Sequence, residues 1–402
     1  MNYSRVLRAT NILLILTGYQ LHWFDRKTRR FEVSLIAVVN VFVLGCLYAA
    51  CFAQHFRPSS ILKVLHDVSP FLYGLTRLQL MLGLKVFAYA IYSSVRAVVG
   101  VNSLVESFPA DGRALSKAES VAYGLLGSTL SVLFGFSVFI AYKMDFKLPL
   151  LQEAMIGMAL FLPHLALAGS VRLYCILAWL SCVRLKQLKR EAEEEFSTNL
   201  KRDEADTAST SFSISQPSVS PSNSDTLELK RRQLELLTNR FNFFFRDMQS
   251  SLIFLCILNA NCLLCGAYSY VNYTNSWHLL FEERKQRIFY AANASIYACI
   301  GCDYICLLLV QVMMEKERLG FLQKLELILA QRSSLPASIH SLAKGMKEIL
   351  LNTFQTKFFS LWPFKVTHFV VVSPHSGKNN LYYSFKLEFH SLFSCFCFSV
   401  LL

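Results

Sequence analysis

Residues 34–53 read SLIAVVNVFVLGCLYAACFA, with Arg29, Arg30 and Glu32 before them and Arg57 after. The stretch holds no charge. A bilayer's hydrocarbon core is about 30 Å thick and a helix rises about 1.5 Å per residue, so about twenty apolar residues cross it. Five further stretches follow, at 69–92, 121–142, 153–180, 251–271 and 288–314. The second is the least clean, because Arg77 and Lys85 lie in it. A seventh is expected near the C-terminus. The chain reads as all-α: a polytopic membrane helix bundle.

Composition agrees. Of the 402 residues, 54% are hydrophobic and 17% charged, with 33 Phe; a soluble chain carries nearer a quarter charged residues. No cleavable signal peptide is evident, since the first apolar run, Asn11 to Leu16, is short and lacks a small-residue cleavage site. The net charge of +13 does not point to nucleic acid, because the basic residues flank apolar spans. Cys46, Cys51, Cys175, Cys256, Cys262, Cys265, Cys299, Cys302 and Cys306 lie inside apolar stretches and read as small packing groups. Cys262 and Cys265 have zinc spacing but no second pair in a polar loop.

Orientation follows from Lys and Arg between the spans. The N-terminal segment and the second, fourth and sixth loops together hold 28, and the other three loops hold 7. Positive loops stay inside, which predicts an inverted seven-span topology with a cytoplasmic N-terminus. The sequon at Asn272 then falls on an outer loop and permits glycosylation. This layout is the reverse of a G-protein-coupled receptor. No Asp/Glu-Arg-Tyr ends the third span, and no Asn-Pro-x-x-Tyr ends the last.

The chain divides accordingly. Residues 1–33 form a cytoplasmic N-terminal segment and 34–180 carry spans one to four. Residues 181–250 are a long cytoplasmic loop. Within it, Cys182 to Phe196 extends the fourth span as a charged helix, and 197–226, rich in Ser and Thr, reads as disordered linker. Leu227, Leu234, Leu237 and Phe241 then mark an amphipathic helix. Residues 251–314 carry spans five and six. Residues 315–369 form cytoplasmic helices, with Leu319, Leu322, Leu325 and Leu329 on one stripe and Leu342, Met346, Ile349, Leu350 and Phe354 on a second. Apolar stripes outside lipid must pack together or on neighbouring subunits, which predicts an assembly region and an oligomer. Residues 370–402 are a divergent tail.

The pattern resembles the insect gustatory receptor family of the insect chemoreceptor superfamily. Length, inverted layout and long fourth loop match. So do the opening run VLRATNILLILTGYQLHWFDRKTRRFEVS (6–34) and the stretch from Leu227 to Arg246, and the likeness covers about residues 1–369. It implies a ligand-gated cation channel subunit in the plasma membrane of sensory neurons. Such a subunit detects small organic tastants and assembles with other gustatory receptor subunits into a homo- or heterotetramer. The family's Thr-Tyr…Gln-Phe motif of the pore-lining last span is absent. Residues 370–402 read either as translated intron or alternative exon end, or as a weak seventh span. The departure puts conduction by this polypeptide alone in doubt.

Intramembrane charges cost about 2.5–3.5 kcal/mol each at a helix centre. Here they are Arg77, Lys85, Arg172 and Asp303. Asp303 has two candidate partners, Arg172 and Lys85, both of which can also snorkel. Ligand contacts are expected in the outer halves of the spans: Phe134, Phe136, Phe139 and Tyr142 of the third, Met155, Met158, Phe161 and His164 of the fourth, Tyr268 and Tyr270 of the fifth, and Phe289, Tyr290 and Tyr297 of the sixth. An aromatic pocket with few polar groups suits a small organic ligand. Core or lipid packing is the competing role of each. No phosphate loop, metal set or catalytic constellation is present, so no enzyme activity or cofactor is expected. A G-protein-coupled receptor or a secondary transporter are the alternatives; the internal repeats expected of a transporter are not seen.

Overall fold

The computed structural model describes residues 3–57, 60–109, 124, 148–208, 223–273, 283–330, 337–352, 357–358 and 362–363. Among these residues it is all-α apart from two short hairpins. The helices are α1 (Tyr3–Leu16), α2 (Leu35–Ala53), α3 (Ser60–Val68), α4 (Pro70–Val105), α5 (Leu148–Ala208), α6 (Asn223–Tyr273), α7 (Glu283–Ala330) and α8 (Ala337–Asn352). Strands β1 (His22–Phe24) and β2 (Phe31–Val33) pair antiparallel, as do β3 (Lys357–Phe358) and β4 (Trp362–Pro363). Among the described residues, four segments are long and apolar enough to cross a bilayer: Leu35–Phe56, Pro70–Val105, Met155–Thr198 and Asp225–Tyr268. This is a membrane protein. The expected third span, 121–142, lies outside the described residues except Gly124, and the tail 370–402 lies wholly outside them.

Helix α5 is the centre of the bundle. It packs against α1, α2, α4, α6 and α7, and every residue from Phe161 to Cys182 is buried. A helix that is apolar all round has no face to give to water and belongs inside. Small residues let its neighbours close in. A Cβ on Gly83 of α4 would stand 3.0 Å from Pro163 of α5, and one on Gly100 would stand 3.1 Å from the Phe244 backbone of α6. Helix α4 starts cleanly, with the Ser69 side chain accepting from the Leu72 N–H at 3.2 Å and Pro70 in the first turn. It then runs well past residue 92, the expected end of the second span.

Three helices outlast the membrane. At about 1.5 Å per residue, the 61 residues of α5 are about three bilayer cores long. The helix continues through Ala208 and α6 begins at Asn223, so both intrude on the stretch 197–226 read as disordered. The reason is local: Ser197 and Thr198 turn their hydroxyls back onto the Glu194 carbonyl at 2.8 Å each, and KRDEA supplies good helix formers. The α5 and α6 extensions pair through Lys230 and Glu191 (2.5 Å), Arg184 and Gln233 (3.1 Å) and Thr226 and Glu195 (3.3 Å).

Leu227, Leu234, Leu237 and Phe241 are all buried, as their spacing predicts. Helix α8 buries Met346 and Leu350 where it packs against α6 and α7. On α7 the stripe is corrected: Leu322 and Leu325 are buried and Leu329 packs partly, but Leu319 is exposed. Two successive steps of three residues turn the helix face by about 120°, which carries Leu319 off the buried side.

Carboxylates brace the extensions, Glu228 within α6 and Glu191 between α5 and α6. The Arg231 and Arg232 guanidiniums hold Glu228 down to about 2 from the usual 4.5. Burial pushes Glu191 up, but the Lys230 hydrogen bond and charge, with Gln187 and Arg184, outweigh it and leave Glu191 below 4.5. A depressed carboxyl contributes stability above its unfolded pKa and loses it as pH falls through the folded value. Spin labels placed across the α5–α6 extensions should therefore show one narrow distance at neutral pH that broadens only as pH falls below about 4.5, where Glu191 takes up a proton and releases Lys230. Broadening that begins near pH 6 would assign the contact to histidine instead.

The N-terminal segment is not a peripheral tail. Tyr3, Val6, Leu7, Leu14 and Ile15 of α1 are buried, and so are Thr17 to Gln20 after it. Gly18 turns the chain at φ 72°, with Leu44 of α2 only 2.5 Å from where a Cβ would stand. Asn11 holds the return strand: its amide donates to the His22 carbonyl (2.7 Å) and Gln20 (3.3 Å), and its oxygen accepts from the Phe24 N–H (2.9 Å). Tyr19 lodges beside Gly169 of α5 and reaches Met248 of α6, next to a Ser93–Ser251 hydrogen bond of 2.8 Å. Local hydrogen bonds let a polar-looking segment enter the bundle.

Candidate functional site

Polar side chains inside an apolar bundle need partners or a purpose. One group lies where α4, α5, α6 and α7 meet. Gln79 of α4 and His164 of α5 approach to 3.1 Å between the Gln Nε2 and the His Nε2. Asn261 of α6 donates to the Gln79 oxygen at 2.6 Å. Asn259, fully buried on the same helix, faces the His164 ring and the Tyr304 hydroxyl of α7. It closes no hydrogen bond of good geometry to either, and both its amide atoms keep unmet capacity. A buried polar group left so costs about 1–3 kcal/mol. The Asn259 amide can offer that capacity to an incoming hydrogen-bonding group.

The charges sit beside this group. Arg172 of α5 and Asp303 of α7 form an ion pair at 2.9 Å, with both side chains 2% exposed. The sequence left Asp303 two candidate partners; helix packing selects Arg172, and Lys85 is exposed on the flank of α4. Arg77 turns to Tyr73 one turn away, donating to its hydroxyl at 3.1 Å with the guanidinium over the ring. It is held locally rather than in the bundle centre.

A second cluster closes the end of the bundle at the start of α4. Leu62 and Leu65 of α3 pack with Leu72, Ile156 and Tyr268. The Tyr268 hydroxyl lies 3.4 Å from Ser69 Oγ, and its ring meets Phe71 edge-on at 4.9 Å.

The expected ligand residues separate. Tyr268 belongs to this end cluster. Phe161 and His164 are buried in the bundle and Met155 packs partly against its core. Met158 is exposed. Tyr297 lies directly over Gly266, leaving no room for a Cβ there. Phe134, Phe136, Phe139 and Tyr142 lie outside the described residues. So do the side chains of Tyr270, Asn272, Phe289 and Tyr290, which stand on helices. Gln79, Asn259, Asn261 and Tyr304 are neither charged nor aromatic side chains of an outer half-span, so the sequence reading did not single them out. The signal was present: three amides within apolar spans, each costly without a partner. No protein-family model and no curated protein matches this chain. Cys46, Cys51, Cys175, Cys182, Cys256, Cys262, Cys265, Cys302 and Cys306 are free thiols.

Proposed function

We propose that this chain is a gustatory receptor: a subunit of a ligand-gated cation channel that detects small organic molecules at the outer face of the plasma membrane. The unmet hydrogen-bonding capacity of Asn259, set among His164, Gln79, Asn261 and Tyr304, carries this reading. A largely apolar interior with a few convergent neutral polar groups suits a small organic ligand. The 28-to-7 division of Lys and Arg supports a cytoplasmic N-terminus with seven spans. Exposed apolar side chains on the extensions beyond the spans, Leu229, Leu236, Leu327 and Leu351, support assembly with other subunits into a tetramer.

The test is a recording from cells that express the chain with a family subunit whose last span is complete. Sugars and aromatic tastants are the probes. A tastant-evoked cation current is expected, with an N-terminal epitope protected from external protease. Asn259→Leu should abolish the response while the folded yield stays level or rises, because it removes an unsatisfied buried amide. A response that vanishes on G-protein block and carries no conductance would overturn the channel reading. Cleavage of the epitope in sealed cells would overturn the orientation.

A further inference from the structure

The β1–β2 hairpin carries DRKTRR at its tip, residues 25–30, immediately before α2. The first turns of α2 leave lipid as their natural neighbour: Leu35 is 79% and Ile36 78% exposed, with Val39, Phe42 and Val43 following on the exposed side. The apolar helix thus begins at the boundary of the hydrocarbon, and the hairpin sits at headgroup depth. Trp23 lies there too, with the Arg8 guanidinium 5.7 Å from its ring centre. Tryptophan beside cations is what a membrane interface collects.

The acids near the tip are already engaged. Asp25 accepts from the Lys27 and Thr28 N–H groups at 3.1 and 3.2 Å, and those bonds hold its carboxyl below the usual range. Glu32 accepts from the Thr28 hydroxyl at 3.0 Å. Glu106 of the α4 end takes Arg30 at 2.7 Å and Arg240 at 3.6 Å. Arg29, at φ 57°, clamps the hairpin to the Phe108 and Pro109 carbonyls at 3.0 and 3.2 Å. Arg26 and Lys27 remain exposed at the tip, with no ion pair among the described residues. Two exposed cations, held by a clamped turn beside a lipid-facing helix start, complement a layer of negative charge.

We infer that the hairpin tip, Arg26 and Lys27 beside the exposed start of α2, is a docking surface for anionic phospholipid headgroups. The inference needs the chain only to be a membrane protein and stands apart from what it senses. Each surface cation raises anionic-lipid affinity about fivefold. The full-length protein is reconstituted in phosphatidylcholine vesicles doped with phosphatidylserine and extracted gently, and its retained lipid is counted by mass spectrometry. Phosphatidylserine should be enriched over its share of the vesicle. R26Q/K27Q should lower that enrichment by more than tenfold, and the charge-keeping R26K/K27R should retain it. R57Q/K63Q, exposed cations at the other end of α2 and on α3, should leave it unchanged. No enrichment with the native chain, full enrichment with R26Q/K27Q, or equal loss with R57Q/K63Q would overturn the inference.

Discussion

Asp303→Asn should remove most of the folded protein from the membrane. The substitution keeps shape and deletes one charge, which leaves the buried Arg172 without its carboxylate. Breaking a buried pair on one side costs about 3–5 kcal/mol, a large part of the stability of an ordinary domain. Folded yield by fluorescence-detected size exclusion is the measurement. Arg172→Met should fail similarly, by leaving the carboxylate without its cation. The double variant Arg172→Met with Asp303→Leu should recover yield, because an apolar pair of similar volume replaces two desolvated charges and is often neutral or stabilising. Normal yield from either single variant would show that the pair is reached by water. Lys85→Gln serves as the control: Lys85 is exposed, so its loss should leave yield unchanged.

Gly169→Leu should expel the N-terminal segment from the bundle. A Cβ at Gly169 would already stand 2.7 Å from the Tyr19 Cβ and 3.0 Å from the Thr17 hydroxyl. The remaining leucine atoms have nowhere to go unless residues 17–20 leave. Overpacking of this kind costs about 1–3 kcal/mol. The loss of burial of Tyr19 and of the α1 face adds to it. Trypsin should then release the segment at Arg8, which is protected in the native chain by the α1 helix and its stack on Trp23. Gly157→Leu is the matched control, since nothing lies within 4 Å of a Cβ there. Equal protection in both variants would mean that Tyr19 does not seat against α5.

The expected and observed folds agree where the cause is local. An uncharged run as long as a bilayer is thick reads directly as a crossing helix, and 34–53 and 153–180 fall on α2 and α5. The stripe Leu227, Leu234, Leu237 and Phe241 is legible for the same reason, because helical period is a property of the chain itself. The charged continuation of α5 after Cys182 was legible too, though not its reach to Ala208.

The rest depended on which helices meet and how each is rotated. Asp303 could have taken either of two cations by sequence; rotation of α4 turns Lys85 outward, and packing of α5 on α7 brings Arg172 to 2.9 Å. Asn11, Thr17 and Gln20 are polar letters in a segment expected to stay outside, yet hydrogen bonds made across the turn let it bury. Asn259, Gln79 and Asn261 became a site only through three or four helices converging. Hydrophobicity and helical period are carried residue by residue along the chain, so the sequence alone decided span and stripe. Ion-pair choice, the buried N-terminal wedge and the polar cluster join residues tens to hundreds of positions apart, and desolvation makes such contacts decisive only after packing has excluded water and lipid.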